Sequence, residues 1–175
     1  TIASSVATAL LALVGAGDLL RLPYPSYILY KTLAQIQGAR FEEVRFNADW
    51  SLPEEFAQPE PGLRLVFLPN PNSPTGTLVS KERILDFAER LPCPLLVDEA
   101  YADFADTNCL DLVRRSDRVL VSRSFSKSYA LAGLRFGCLV AQPQVIRELV
   151  KVKDSYNCDA LSIAGATAAI DDRAW

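Results

Sequence analysis

Lys127 ends the segment Ser124-Phe125-Ser126-Lys127, and Arg135 follows eight residues beyond it. That stretch offers an amine, two hydroxyls (Ser124 and Ser126) and a guanidinium. Hydroxyls, backbone amides and an arginine suit a phosphate dianion. An amine can act as a nucleophile toward a carbonyl where neighbouring cations keep it neutral. Asp98 and Tyr101 set a carboxylate and a phenol three residues apart, directly after the apolar run Leu95-Leu96-Val97. A carboxylate buried there needs a cationic partner or it neutralises. Tyr27 lies in Pro23-Tyr24-Pro25-Ser26-Tyr27, and Asn72 and Ser73 lie in Pro69-Asn70-Pro71-Asn72-Ser73-Pro74-Thr75-Gly76. Each residue also has an ordinary reading: Lys127 as a surface lysine, Asp98 as a turn or cap residue, Tyr101 as a core aromatic, Ser124 and Ser126 as turn caps. Tyr24 and Tyr30 read as packing residues.

These groups need elements to hold them, and the hydrophobic pattern supplies an alternation. Helix is predicted over 2–14, ending at Gly15-Ala16-Gly17, then a strand over 19–22. Ser26 is placed to cap a helix that runs to Gln37 and stops at Gly38. Strands follow at 41–46 and 63–68, the second a continuous apolar run of the kind buried on both faces. Residues 47–62 read as a loop. Ser80 caps a helix to Leu91; strands are predicted at 94–97, 118–122 and 136–141, and helices near 109–115, 143–153 and 159–170, with Arg135 in the next helix after Lys127. The alternation predicts an α/β fold: a three-layer α/β/α arrangement on a mainly parallel sheet. Ligands of such sheets bind beyond the carboxyl ends of the strands. The four polar clusters, 24–27, 70–76, 98–101 and 124–135, each follow a predicted strand, so one crevice can collect them.

The order Pro-Ser-Tyr, Asn-Ser-Pro-Thr-Gly, Asp-Glu-Ala-Tyr, Ser-Phe-Ser-Lys and Gly-Leu-Arg resembles the fold-type I pyridoxal-phosphate (PLP) aminotransferases. Residues 126–137 (SKSYALAGLRFG) and 23–39 (PYPSYILYKTLAQIQGA) are most similar to the histidinol-phosphate aminotransferase branch. The resemblance covers essentially the whole chain and implies pyridoxal 5'-phosphate as cofactor. It implies that Lys127 forms the Schiff base to it and shuttles the substrate proton, that Asp98 pairs with the pyridine nitrogen, and that Tyr101 bonds the phenolic oxygen. It implies a phosphate cup of Ser124, Ser126 and Arg135, with Gly133 allowing Arg135 to approach, and Tyr27 stacked on the ring. Where many relatives carry Asn-Asn-Pro-Thr-Gly, the second asparagine is replaced by Ser73; Asn72 or Ser73 is left to contact the ring oxygen. Arg123 can add charge near the cleft but matches no motif position.

The implied reaction is amino transfer between histidinol phosphate, an intermediate of histidine biosynthesis, and 2-oxoglutarate, in a cytoplasmic homodimer. Other readings stay open: an aromatic-amino-acid aminotransferase or a phospho-amino-acid decarboxylase of the same fold, or a non-catalytic PLP-fold module. The implied domain is the large, PLP-binding one over 1–175, without the N-terminal arm and the C-terminal small domain of the family; the absence of an initiator methionine and the last residues, Asp171-Asp172-Arg173-Ala174-Trp175, read as cuts from a longer chain.

Composition narrows the alternatives. The 175 residues are 50% hydrophobic and 22% charged with a net charge of −3, which suits one globular domain and lacks the basic footprint of a nucleic-acid binder. Arg114-Arg115 reads as a solvated helix face. Cys93, Cys109, Cys138 and Cys158 form no CxxC pair and the chain has no histidine, so no zinc-ligand pattern is present and no metal is expected. The cysteines read as small buried hydrophobes in a reducing compartment. The apolar run 2–14 is too short for a membrane span.

Overall fold

A computed structural model describes residues 9, 12–155 and 157–172. The helix predicted over 2–14 lies largely outside the described residues; Ala9, Ala12 and Leu13 are helical. The elements run β1 (Leu19–Tyr24), α1 (Leu29–Ile36), β2 (Arg40–Arg45), a 3-10 turn at Glu54–Ala57, β3 (Leu63–Pro69), α2 (Lys81–Arg90), β4 (Leu95–Asp98), a 3-10 turn at Ala102–Phe104, α3 (Leu112–Arg115), β5 (Val119–Ser124), a 3-10 turn at Ala132–Leu134, β6 (Gly137–Val140), α4 (Pro143–Val152) and α5 (Ala160–Asp171).

The six strands form one sheet in the order β2-β1-β3-β4-β5-β6. The pairs up to β4–β5 are parallel and β5–β6 is antiparallel. The apolar runs of β3 and β4 are buried almost throughout. Strand periodicity sends alternate residues to opposite faces. Val66, Leu68, Leu95, Val97, Val119 and Val121 join Ile84 and Phe87 of α2 and Leu112 of α3 in one core. Leu65, Phe67, Leu96 and Leu120 join Tyr30 and Ala34 of α1 and Leu149 of α4 in the other. This is the expected three-layer α/β/α arrangement.

β1 is flanked by β2 on one side and β3 on the other, so the chain reverses direction across the sheet there and opens a crevice at the carboxyl ends. Register then levels the site. Pro69 pairs with Asp98, Asp98 with Ser122, and Ser124 with Gly137 at the start of β6. Because β6 runs antiparallel, the segment 125–136 begins and ends at the same edge of the sheet.

Local signals mostly act as expected. Ser80 caps α2, its hydroxyl accepting from the Arg83 amide at 3.2 Å. Gly38 takes a φ of +71° after α1, a conformation that suits glycine. Ser26 does not cap α1: the first turns hang on Tyr27 and Ile28, whose carbonyls accept from Tyr30 and Thr32, so the helix starts downstream of the serine's reach. Arg135 is not helical either. A 3-10 turn at Ala132–Leu134 ends on Arg135 itself in the left-handed region, φ 54°. Cys93 and Cys109 are buried as expected, whereas Cys138 and Cys158 are exposed.

Candidate active site

At the carboxyl edge a cavity of ≈ 200 Å³ is lined by Tyr27, Tyr30, Pro69, Pro71, Ser73, Asp98, Ala100, Tyr101, Ser124, Ser126, Lys127 and Arg135. Four separate strand ends supply it, and eight of the nine residues singled out from the sequence line it. The ninth, Asn72, does not. Its amide nitrogen donates to the Pro25 carbonyl at 3.0 Å and to the Thr75 hydroxyl at 2.8 Å, bracing the loop after β3 against the loop after β1. Of the pair left open by the sequence, Ser73 is the one that faces the cavity.

Asp98 forms the buried end of the site, 2% exposed. Its Oδ1 accepts from the Ala100 amide at 3.0 Å and its Oδ2 from the Tyr30 hydroxyl at 2.5 Å. Burial pushes its carboxyl up to about 6, against the opposing pull of these two hydrogen bonds. Among the described residues no ion pair involves Asp98, and no cation contributes to that shift. The group is a carboxylate in want of a positive partner.

Tyr30 is a functional-site residue that sequence reasoning missed. It is 1% exposed, stacks on Phe67 at 4.7 Å and packs edge-on to Tyr27 at 5.8 Å, which is what a packing residue does. Its hydroxyl nevertheless ends on Asp98. Burial first, then the Asp98 charge, raises the phenol well above 10, so it remains a donor. The available signal was proximity: Tyr30 is three residues from Tyr27, in the first turn of the helix that follows it.

Lys127 lies on the open side, its Nζ 5.1 Å from the centre of the Tyr101 ring. Phe125, next to the lysine turn, is buried against Tyr129 and Phe136. The turn closes on itself, Ala130 donating to the Lys127 carbonyl and Leu131 to that of Phe125. The Ser126 amide donates to the Ser124 hydroxyl at 3.0 Å, and an Arg135 Nη1 donates to the Ala132 carbonyl at 2.9 Å. Two hydroxyls and a guanidinium thus share one rim. Gly133 is not needed for a close approach, since a Cβ there would meet nothing within 4 Å. Arg123 does not point its charge into the cavity; it is paired with Glu99 and Asp103.

The donor set fits pyridoxal phosphate. An orphan buried carboxylate suits a protonated ring nitrogen, the exposed Tyr27 ring a flat heterocycle, Lys127 an aldehyde, and the Ser124–Ser126–Arg135 rim a phosphate dianion.

Residues 3–174 match the family described as aminotransferase class I and II. The chain is 63% identical over 162 residues to a histidinol-phosphate aminotransferase of Rhodopirellula baltica, covering 93% of this chain and 45% of the relative. It is 46% identical over 164 residues to one of Geotalea daltonii, covering 94% and 47%. The chain therefore spans about half the length of the curated relatives it matches. Among solved structures, a histidinol-phosphate aminotransferase of Sinorhizobium meliloti in complex with pyridoxal-5'-phosphate superposes with a TM-score of 0.85 at 26% identity, over 97% of this chain and 48% of that one. An aspartate aminotransferase of Thermotoga maritima has a TM-score of 0.86 at 22% identity, over 99% and 50%, a likeness of fold.

Proposed function

We propose an activity for a chain that belongs to the class I and II aminotransferases: pyridoxal-phosphate-dependent amino transfer between histidinol phosphate and 2-oxoglutarate. The observation that carries the cofactor is Asp98, a buried carboxylate with no cation among the described residues, in one cavity with Lys127. The identity to histidinol-phosphate aminotransferases supports the amino donor.

The bound cofactor would supply an electron sink for the carbanion left when the substrate's Cα loses a proton. This chain's residues do the rest. Asp98 would accept the ring-nitrogen proton, and Tyr30 and the Ala100 amide keep both of its oxygens oriented. Ser124, Ser126 and Arg135 would hold the phosphate at the rim of the cavity. Tyr27 would cover the ring of the bound cofactor, and Tyr101 and Ser73, which line the same cavity, would supply hydroxyls to its ring oxygen. Lys127 would hold the cofactor through its amine, and the same amine would be placed to carry the proton from the substrate's Cα.

In this reading residues 1–175 belong to the PLP-binding large domain of a longer, cytoplasmic, homodimeric protein, and the groups that grip the substrate come from outside the chain. Among the described residues no helix is long and apolar enough to cross a membrane.

The test is an assay of the whole protein with histidinol phosphate and 2-oxoglutarate, together with borohydride treatment and peptide mapping. Turnover is expected, with pyridoxal phosphate fixed on the peptide that carries Lys127 and lost in Lys127→Ala. Labelling at another lysine sinks the assignment, and turnover of an aromatic amino acid in preference to histidinol phosphate sinks the substrate.

A further inference from the structure

β4 and β5 alternate their side chains, so Asp98 and Ser124 face the cavity while Glu99 and Arg123 lie behind its wall. There the guanidinium joins three segments. Arg123 Nε donates to Glu99 Oε2 at 2.7 Å and Nη1 to Asp103 Oδ1 at 2.6 Å. The Glu99 side chain is fully buried, and its other oxygen accepts from the Cys109 amide. The other oxygen of Asp103 accepts from the Ser128 hydroxyl. Two carboxylates thus flank Tyr101 in sequence, and Ser128 adjoins Lys127. Burial alone would depress the Arg123 guanidinium; Glu99 and Asp103 outweigh it and raise its pKa, so the charge is used within the cluster.

We propose that Arg123, with Asp103 and Ser128, is a positioning clasp: it ties the segment after β4, which carries Tyr101, to the turn after β5, which carries Lys127, and so sets where the lysine amine meets its ligand. The proposal rests on the reading of the site given above. Lys127 is exposed and carries a long flexible side chain, with the Tyr101 ring at 5.1 Å as its neighbour. A small shift between the two segments therefore moves the amine, and misplacement of a reacting group by about 1 Å is enough to cost roughly 100-fold in rate.

The experiment compares Ser128→Ala, Asp103→Asn and Arg123→Lys in the whole protein. Hydrogen exchange is measured without cofactor; the pH profile of the bound cofactor's absorption band, kcat and KM are measured with it. Ser128→Ala is expected to speed exchange across the gap at 101–104, and Asp103→Asn at 126–129. Both are expected to shift the apparent pKa of the band and to lower kcat by about tenfold with KM within about twofold. Arg123→Lys keeps the charge but loses the two-pronged geometry, and it is expected to behave like them. Unchanged exchange across the gap overturns the clasp. Altered exchange with a wild-type band and kcat overturns its positioning role, leaving a structural one. Arg123→Lys with a raised KM and an unchanged kcat makes Arg123 a substrate-binding cation and also overturns it. A wild-type protein that forms no band removes the reading of the site, and the exchange data then decide the clasp alone.

Discussion

Asp98 and Tyr30 are coupled in a way that pH can expose. An unfolded aspartate titrates near 3.9, whereas burial lifts Asp98 to about 6 in the fold. Between those values the folded chain holds a proton that the unfolded chain has lost. Stability from this group is therefore greatest below about pH 4 and falls as pH rises toward 6, by about 3 kcal/mol in order of magnitude. A cationic ring nitrogen reverses the sign by favouring the carboxylate. Without cofactor, Asp98→Asn is expected to flatten the decline between pH 4 and 7 seen in chemical denaturation of the wild type; parallel profiles would remove the argument. With cofactor at pH 7 to 8, the wild type is expected to gain more stability from pyridoxal phosphate than Asp98→Asn, because a charge-assisted bond to a buried partner is worth about 2–5 kcal/mol. Tyr30→Phe deletes a hydrogen bond that holds the Asp98 carboxyl down. Its expected signature is an upward move of the midpoint of that decline, which a residue serving only to pack would not produce.

Elements were legible where pattern and punctuation agreed. The runs 63–68 and 94–97 became buried strands, and Ser80 became the cap it resembled, because burial on both faces and local capping are both written in neighbouring residues. The polar clusters converged because each followed a strand whose place in the sheet the alternation implied. What could not be read depended on distant partners. Ser26 looked like a cap until the helix hung on Tyr27, and Tyr30 looked like packing because Asp98 is 68 residues away. Arg21 is a further case, an arginine only 2% exposed inside β1. Its Nε pairs with Glu42 of β2 at 2.7 Å, and its Nη1 donates to the carbonyls of Phe56 at 3.2 Å and Gln58 at 2.5 Å. It fastens the 47–62 loop to β1 and β2. Arg21→Leu keeps the strand pattern but strands two carbonyls, and the expected loss is about 1–3 kcal/mol, read as a fall in Tm on the order of 3–10 °C. An unchanged Tm would mean that the loop's attachment lies elsewhere.

At the scale of the molecule, the cofactor half and the substrate half of the proposed chemistry separate. All the groups proposed to hold pyridoxal phosphate lie within residues 27–135, and the two cores beneath them pack both faces of one sheet. A 175-residue chain of this composition buries enough surface to fold. The far end is different. On α5, Leu161, Ile163 and Ile170 are 79%, 49% and 56% exposed, and α4 adds Val150 and Val152 at 53% and 42%. Exposed apolar side chains in this number favour association. The chain alone is therefore expected to fold, to bind pyridoxal phosphate weakly through Lys127, and to self-associate as its concentration rises. It is expected to show little or no turnover of histidinol phosphate, because fixing a cofactor does not orient a substrate or exclude water around the reacting carbon, and those two effects supply much of the rate. Absorbance titration with pyridoxal phosphate, sedimentation over a range of concentrations and the transamination assay check the three parts separately. Turnover by the 175-residue chain at the rate of the whole protein would show that residues within it already grip the substrate. Arg135 and the open groove beside Ser73 and Phe104 would then be the place to look for them.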